Sequence, residues 1–208
     1  MNNEEREDTI NFIKDNIELI DKNNFKVLYD KLLYYHRGNL TSILLEANIN
    51  PLEYMDKVPD DYAFAAHNID NIIIPNNIKE IGSSAFSNCE SLKSITIRDS
   101  VTSIGKYAFA KCTSLTDITI PDRVTSIGEG VFYNCTSLKS IIIPNSVTSI
   151  SYRVFSGCTS LTNINYKGSK FQWQNIDKDI DWNDKSTIRF IHCTDGDIEL
   201  PKSKSQSR

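Results

Sequence analysis

The sequence predicts an α+β repeat solenoid: a parallel sheet built from stacked repeats, a helical cap before it and a mixed cap after it. Three observations carry this. Between residues 72 and 166 a 23-residue phrase recurs, so that Cys89, Cys112, Cys135 and Cys158 keep one step and Phe86, Phe109, Phe132 and Phe155 keep the same step. Ahead of it, residues 1–61 show helical spacing and an acidic balance. Behind it, residues 167–200 lose the period but keep aromatic and β-branched residues. A fixed period of this size means that each unit buries its apolar face only by stacking on its neighbours.

Leu92, Leu115, Leu138 and Leu161, with Ile81, Ile104, Ile127 and Ile150, complete the phrase. Within one unit, Leu92-Lys-Ser-Ile95-Thr-Ile97 alternates apolar and polar residues, the period of a half-buried strand. Arg98-Asp99-Ser100 turns the chain, and Val101 and Ile104 point back inward. Gly105 punctuates the unit as Gly82 and Gly128 do, at a conformation a Cβ is expected to disfavour. Ala108-Phe109 and Cys112 carry the far side of the coil back under the next strand. Five parallel strands centred on Ile72, Ile95, Ile118, Ile141 and Ile164, about 4.8 Å apart in one sheet, are expected.

These residues resemble the BspA-like leucine-rich repeat family, whose phrase runs L-x-x-I-x-I-P-x-x-V-x-x-I-G-x-x-A-F-x-x-C. The chain departs from it at Arg98 in place of Pro, Ser151 in place of Gly, and Val131 and Val154 in place of the Ala before Phe. The resemblance implies a curved solenoid, a binding role that in many members is at the cell surface, and repeats without catalytic residues.

The first 62 residues hold 13 acids and 7 bases, a net −6, against 14 acids and 16 bases, a net +2, in the remainder. That asymmetry marks residues 1–61 as a separate acidic module or cap. Ile10, Ile13, Ile17 and Ile20 share one helical face behind an acid-rich first turn that suits the helix dipole. A second helix is expected from Asn24 to Gly38, with Phe25, Leu28, Leu32 and Leu33 inward, and a third from Leu40 to Ala47, closed by Asn48. Asn50-Pro51 opens a short fourth, Asn as cap and Pro at the first position. Leu44-Leu-Glu-Ala-Asn-Ile-Asn-Pro51 resembles segments ahead of such repeats in gut-bacterial and phage reading frames. Residues 62–166 form the solenoid, entered through a degenerate unit at Tyr62-Ala-Phe64 and Ile69.

From Lys167 the period breaks. Ser169 suits a helix cap ahead of Phe171, Trp173 and Ile176, Thr187 to His192 reads as a strand, and Asp195-Gly196 as a tight turn into a last strand. Tyr166-Lys-Gly, Gln172-Trp173 and Ile191-His-Cys-Thr-Asp-Gly196 resemble the closing segment of many BspA-like proteins. Solenoid ends expose strand edges and open core, so an aromatic-rich closing segment at 167–200 has a physical purpose. Residues 201–208 form a polar, basic tail, expected to be disordered. No stretch reaches about 18 apolar residues, and the acidic first residues carry no apolar run, so neither a membrane span nor a secretory signal is expected. For a full reading frame, a cytoplasmic protein is expected.

Bond-making chemistry finds little support. The four repeat cysteines sit 23 residues apart in an inward slot rather than at zinc-ligand spacing, so small buried hydrophobes are expected, with no metal and no cofactor. A cytosolic address argues against disulfides. His192, Cys193 and Asp195 offer a base, a thiol and a carboxylate, but adjacent strand residues face opposite ways, so they should diverge. His36 and His67 stand alone. No phosphate-binding glycine loop occurs, and no enzyme is expected. Lys and Arg are scattered among acids and the aromatic repeat residues are core-phased, so direct nucleic-acid binding is not expected either.

What remains is docking. Strand residues facing away from the core make three rows: Asn71, Ser94, Asp117, Ser140 and Asn163; Ile73, Thr96, Thr119, Ile142 and Asn165; and Pro75, Arg98, Pro121, Pro144 and Lys167. Ile73 and Ile142 are apolar on an otherwise polar face, as a contact site often is. The competing surface is the opposite edge, with Lys106, Tyr107, Lys111, Tyr133, Tyr152 and Arg153. The expected function is a non-enzymatic protein-binding scaffold inside the cell, as an inhibitor of a host enzyme or defence complex encoded by a phage or bacterium. Its partner is expected to be another protein with a basic patch. The alternatives are a surface adhesin fragment, as the resemblance implies, and an acidic mimic of nucleic acid through the N-terminal helices.

Overall fold

The computed structural model describes Asn11, Asp15, Leu44, Leu45, residues 50–58, Phe64 and residues 69–201. Of the helix expected over 10–20 only Asn11 and Asp15 are described, both helical, and the one expected over 24–38 lies outside the described residues. Of the third, Leu44 and Leu45 are helical, and Leu44 is buried in the same core as the repeats.

That core is a column. Phe64, Phe86, Phe109, Phe132 and Phe155 are fully buried and lie ring over ring, with centroids 4.9, 5.4, 5.8 and 5.6 Å apart. Each ring can leave water only by covering the next, and each such pair adds about 0.5–1.5 kcal/mol beyond the area it buries. The cysteines stack beside them for a specific reason. Cys89 Sγ donates to Phe64 O at 2.8 Å, Cys112 to Phe86 O at 3.2 Å, Cys135 to Phe109 O at 3.0 Å and Cys158 to Phe132 O at 3.1 Å. Three of those carbonyls also accept the amide of their own coil's cysteine, as Cys89 N does at 3.1 Å to Phe86 O. A thiol is small and apolar enough for the slot yet keeps a donor for the second lone pair. Burial pushes the thiols of Cys112 and Cys135 well up, and that of Cys158 to about 12.

Around the column the chain runs through a 3-10 helix at Pro51–Tyr54, then β1 (Lys57–Val58), β2 (Asn71–Ile74), β3 (Glu80–Ile81), β4 (Ser94–Ile97), β5 (Ser103–Ile104), β6 (Asp117–Thr119) and β7 (Ser126–Ile127). It continues through β8 (Ser140–Ile143), β9 (Ser149–Ile150), β10 (Asn163–Tyr166), helix α1 (Lys170–Gln174), β11 (Asp177–Lys178), β12 (Phe190–Cys193) and β13 (Gly196–Glu199). The five expected strands are β2, β4, β6, β8 and β10, in the expected phase: Ile72 pairs with Ile95, and Ile118 with Ile141.

One continuous sheet was expected and the structure differs. The long strands form a β2-β4 pair and a separate sheet ordered β13-β12-β10-β8-β6. The lapse falls after the repeat with Arg98 where its neighbours have proline. Ile74, Ile120 and Ile143, each ahead of a proline, are fully buried, whereas Ile97 is only half-buried. Ile97 nonetheless keeps its place in β4 and its pairing with Ile74, so the lapse lies between β4 and β6. A second wall, not foreseen, is made by the two-residue strands in sheets β1-β3-β5 and β11-β9-β7, which lapse at the same coil boundary.

A third wall closes the coil through left-handed residues. Ser84, Tyr107, Gly130 and Arg153 have φ of 56°, 56°, 58° and 55°, and Asn88, Lys111, Asn134 and Gly157 have φ of 60°, 58°, 57° and 76°. This turns their N–H groups onto the next coil, as in Tyr107 N to Glu129 O at 2.9 Å and Lys111 N to Tyr133 O at 2.7 Å. The strained positions are therefore these, and not the glycines at 82, 105 and 128 as expected. Gly105 is needed for a different reason, since a Cβ there would stand 2.4 Å from Ser83 N of the preceding coil.

Both ends of the column are closed by other chemistry. Asn50 Oδ1 accepts from Leu52 N at 3.1 Å, capping the 3-10 helix at the expected Asn-Pro, and Asn50 Nδ2 donates to Ile73 O at 3.0 Å on the edge of β2. Asn77 Nδ2 ties Leu52 O at 2.7 Å and also bonds Met55 O. At the other end Ser169 and Gln172 form a capping box on α1, and Trp182 meets Phe155 edge-on at 5.9 Å and 80°. Residues 167–193 thus complete one more coil after the sequence period has failed. The step from Asn163 to its partner Phe190 is 27 residues instead of 23.

Phe109 stands in mid-column, so Phe109→Ala should cost about 3–5 kcal/mol and loosen the adjoining coils, while Thr119→Ala should cost under about 0.5 kcal/mol. Urea denaturation of both variants checks this, and equal midpoints would mean the faces are reversed. Lys111→Asn places the residue of the matching positions 88 and 134 in a left-handed site, and should raise stability by about 0.5–1 kcal/mol in the same assay.

Candidate functional site

The long-strand wall presents its rows as the alternation requires. Ile73 (52% exposed), Ser94, Thr96, Arg98, Asp117, Thr119 and Lys167 are exposed, and Ser140, Ile142, Asn163 and Asn165 are half-buried. The rows are held in register by pairs such as Ile73 with Thr96, Thr119 with Ile142, and Ile142 with Asn165. Pro121 and Pro144, expected on this face, are buried instead. Lys167 Nζ reaches Asp122 Oδ1 at 2.7 Å, spanning the coil between them. Ile73 and Ile142 do not join into one apolar patch, because Thr96 and Thr119 separate them.

The face is tied down by its own polar groups. Ser94 Oγ donates to Asn71 Oδ1 at 2.6 Å, Thr116 Oγ1 to Asp117 Oδ2 at 2.8 Å and Asn165 Nδ2 to Ser140 Oγ at 3.2 Å. Lys93 pairs with Asp70 at 2.8 Å. The result is a stiff, mixed surface with little net charge.

Two residues of this face escaped the sequence reading. Phe190 continues the first row beyond Asn163, and His192 the second beyond Asn165. Phe190 is 37% exposed, and its ring lies parallel to that of His192 at 6.4 Å. Their strand was recognised from its alternation, but the 27-residue step hid its phase with the rows. His192 Nδ1 lies 2.8 Å from Asp197 Oδ1, while Asp195 Oδ1 instead accepts from Lys170 N at 2.7 Å and helps cap α1. Cys193 is half-buried in the core margin. His192, Cys193 and Asp195 are therefore not brought together.

The competing edge is largely committed to bracing. Tyr107 Oη donates to Glu129 Oε1 at 2.6 Å, and Lys106 Nζ pairs with Oε2 at 3.3 Å, so both join one coil to the next. Arg153 stacks over the ring of Tyr152 at 4.7 Å. Lys111 is exposed on its left-handed turn, and Tyr133 is half-buried. Glu129, which organises this edge, was not singled out from sequence, although its 23-residue step from Lys106 was visible.

Half the chain decides the family. Residues 58–178 match the BspA type leucine-rich repeat region in six copies. The chain belongs to the BspA-type leucine-rich repeat family. Solved structures with related coils include a leucine-rich cell surface protein of Faecalibacterium prausnitzii, 37% identical over 53% of this chain and 35% of that one, with a TM-score of 0.45. Another is a leucine-rich repeat protein of Bacteroides ovatus, 26% identical over 64% and 44%, with a TM-score of 0.46. The pneumococcal vaccine antigen PcpA shares the fold at 24% identity over 62% and 31%, with a TM-score of 0.50. The chain thus spans less than half the length of each of these three. Among curated proteins none matches it. Among the described residues, no helix is long and apolar enough to cross a membrane, and no three His, Cys, Asp or Glu side chains gather as a metal site would need.

The Tyr107–Glu129 pair gives a pH test of the bracing. Its hydrogen bond, then the Lys106 ammonium, holds the Glu129 carboxyl below the usual range, and the same bond, then burial, pushes Tyr107 up. A depressed acid contributes stability above about pH 4.3 that is lost as pH falls through its folded value. A raised phenol contributes stability below about pH 10 that is lost as pH rises through its folded value. Tyr107→Phe should therefore cost about 1 kcal/mol near neutrality, with the gap to the parent narrowing at both extremes. A gap in urea midpoints that is constant from acid to alkali would show that the pair braces nothing.

Proposed function

We propose that the chain is a non-enzymatic scaffold that docks another protein on the long-strand face. The observation that carries this reading is the register-locked array of outward side chains on a hydrogen-bonded wall. Its members are already fixed by their neighbours, so little rotamer or backbone freedom is lost when a partner settles on them. The family is one of repeats without catalytic residues, and rigid display is what such a wall offers.

Electrostatics narrows the partner. The face is mixed, whereas residues 1–62 carry −6, so a partner with a basic patch toward the N-terminal end suits the chain, with association slowed by salt. The resemblance of residues 44–51 to segments ahead of such repeats in phage and gut-bacterial frames supports action inside the cell, as an inhibitor of a host enzyme or defence complex. The acidic-mimic alternative rests on residues outside those described.

The test is retention of a native-host protein on immobilised chain, followed by its measured affinity for two pairs of variants. Thr96→Arg with Thr119→Arg crowds the centre of the face without touching the core, and should weaken binding about ten-fold or more with an unchanged melting curve. Tyr133→Ala with Tyr152→Ala should leave binding near its parent value. The opposite outcome moves the site to the far edge.

A further inference from the structure

Among the described residues the long-strand sheet ends on β13, which has a strand neighbour on one side only: β13 is outermost in the order β13-β12-β10-β8-β6. An antiparallel strand turns the peptide groups of alternate residues toward its neighbour and the others away. Leu200 N donates to Arg189 O at 2.7 Å, and Ile198 stands opposite Ile191. Gly196, Ile198 and Leu200 therefore face β12, and the N–H and C=O groups of Asp197 and Glu199 point out from the edge. Among the described residues nothing takes up those groups.

The side chains say what would fit there. Asp197 and Glu199 stand exposed on the solvent face, each holding its partner through one oxygen: Asp197 Oδ1 to His192, and Glu199 Oε1 to Arg189 Nη2 at 2.6 Å. Asp197 Oδ2 and Glu199 Oε2 are left for an incoming cation. On the other face, Ile198 and Leu200 are only partly buried against the core. A second copy of the same edge would set acid against acid, which disfavours self-pairing. A strand with Lys or Arg on one face and aliphatic residues on the other meets both sets at once.

We propose that the free edge of β13 is a strand-addition site for an extended segment of a partner protein that alternates basic and apolar residues. Backbone hydrogen bonds to Asp197 and Glu199 supply the affinity, and cross-strand contacts to the two carboxylates and to Ile198 and Leu200 supply the choice of segment. The inference does not rest on the face between Ser94 and Thr119, and variants there leave it untouched.

The experiment uses the full chain and a fluorescently labelled peptide, Lys-Val-Lys-Thr-Lys-Val-Lys, followed by anisotropy. The expected result is saturable binding, with slowed amide exchange at Asp197 and Glu199 and none at Asp117. The same peptide N-methylated at the alternate positions that face the edge should bind about ten-fold more weakly or worse. Glu199→Pro, which deletes an outward N–H without removing a bond to β12, should do the same, and Glu199→Gln should cost less than either. No saturable binding overturns the proposal. Equal binding of the N-methylated peptide to the unaltered chain also overturns it, since attachment is then by charge alone. Binding that appears only after residues 202–208 are removed overturns it as well, because the chain's own basic tail is then the occupant.

Discussion

A phenylalanine at the inner turn of one repeat can leave water only by lying against the phenylalanine of the next. This places rings about every 5–6 Å along the axis, and a spacing near that of hydrogen-bonded strands is then available to every wall of the coil. The Phe carbonyl follows from the same constraint. Facing inward with two lone pairs, it needs two donors, and the side chain that supplies the second has to be small and apolar enough for the slot. The amide and thiol of two successive cysteines meet that need, as at Phe86, Phe109 and Phe132. Stability is therefore shared between neighbours rather than held within a repeat, and a fault in one coil is felt in the adjoining ones.

Inward positions are thus fixed in kind, and variation is confined to what points outward. Some of that variation is also structural. Tyr107 rises from a left-handed residue and lies against Gly130, where a Cβ would come within 2.2 Å of its ring, and its hydroxyl is taken by Glu129. A tyrosine in such a place is a brace between coils before it is an anchor for a partner. The long-strand wall differs, because Thr96 and Thr119 are exposed on strands whose backbone is already set, with Arg98 exposed just past the end of β4.

What could be read from the sequence was what repeats. The strand phase, the inward Phe and Cys slots, the Asn50-Pro51 cap and the Ser169 cap all follow from spacing and from local chemistry that acts over a few residues. What escaped was set by contacts between coils. The two-residue strands leave no alternation to see, the left-handed sites carry Ser, Tyr and Arg as readily as Gly, and the split of the sheet falls between two strands, β4 and β6, whose sequences keep the period. Trp182 gave no signal at all, because its place under Phe155 depends on a coil with 27 residues where the pattern has 23. For the candidate site, the rows as far as Asn163 and Asn165 were legible. Phe190, His192 and the bracing role of Glu129 were not.

A periodic surface has a difficulty as a recognition surface: a partner that fits one coil fits the next one displaced by a step. Register on such a wall has to come from places where the period fails. Three such places lie along this one. Arg98 stands where the neighbouring repeats carry proline, Lys167 spans a coil to Asp122, and Phe190 and His192 put two parallel rings at the end of rows that are otherwise mostly polar. The last of these sits beside β13, whose outer edge is unpaired among the described residues. For a partner docked as proposed, the middle of the wall would supply stiffness and area, and its irregular end the contacts that tell one position from the next.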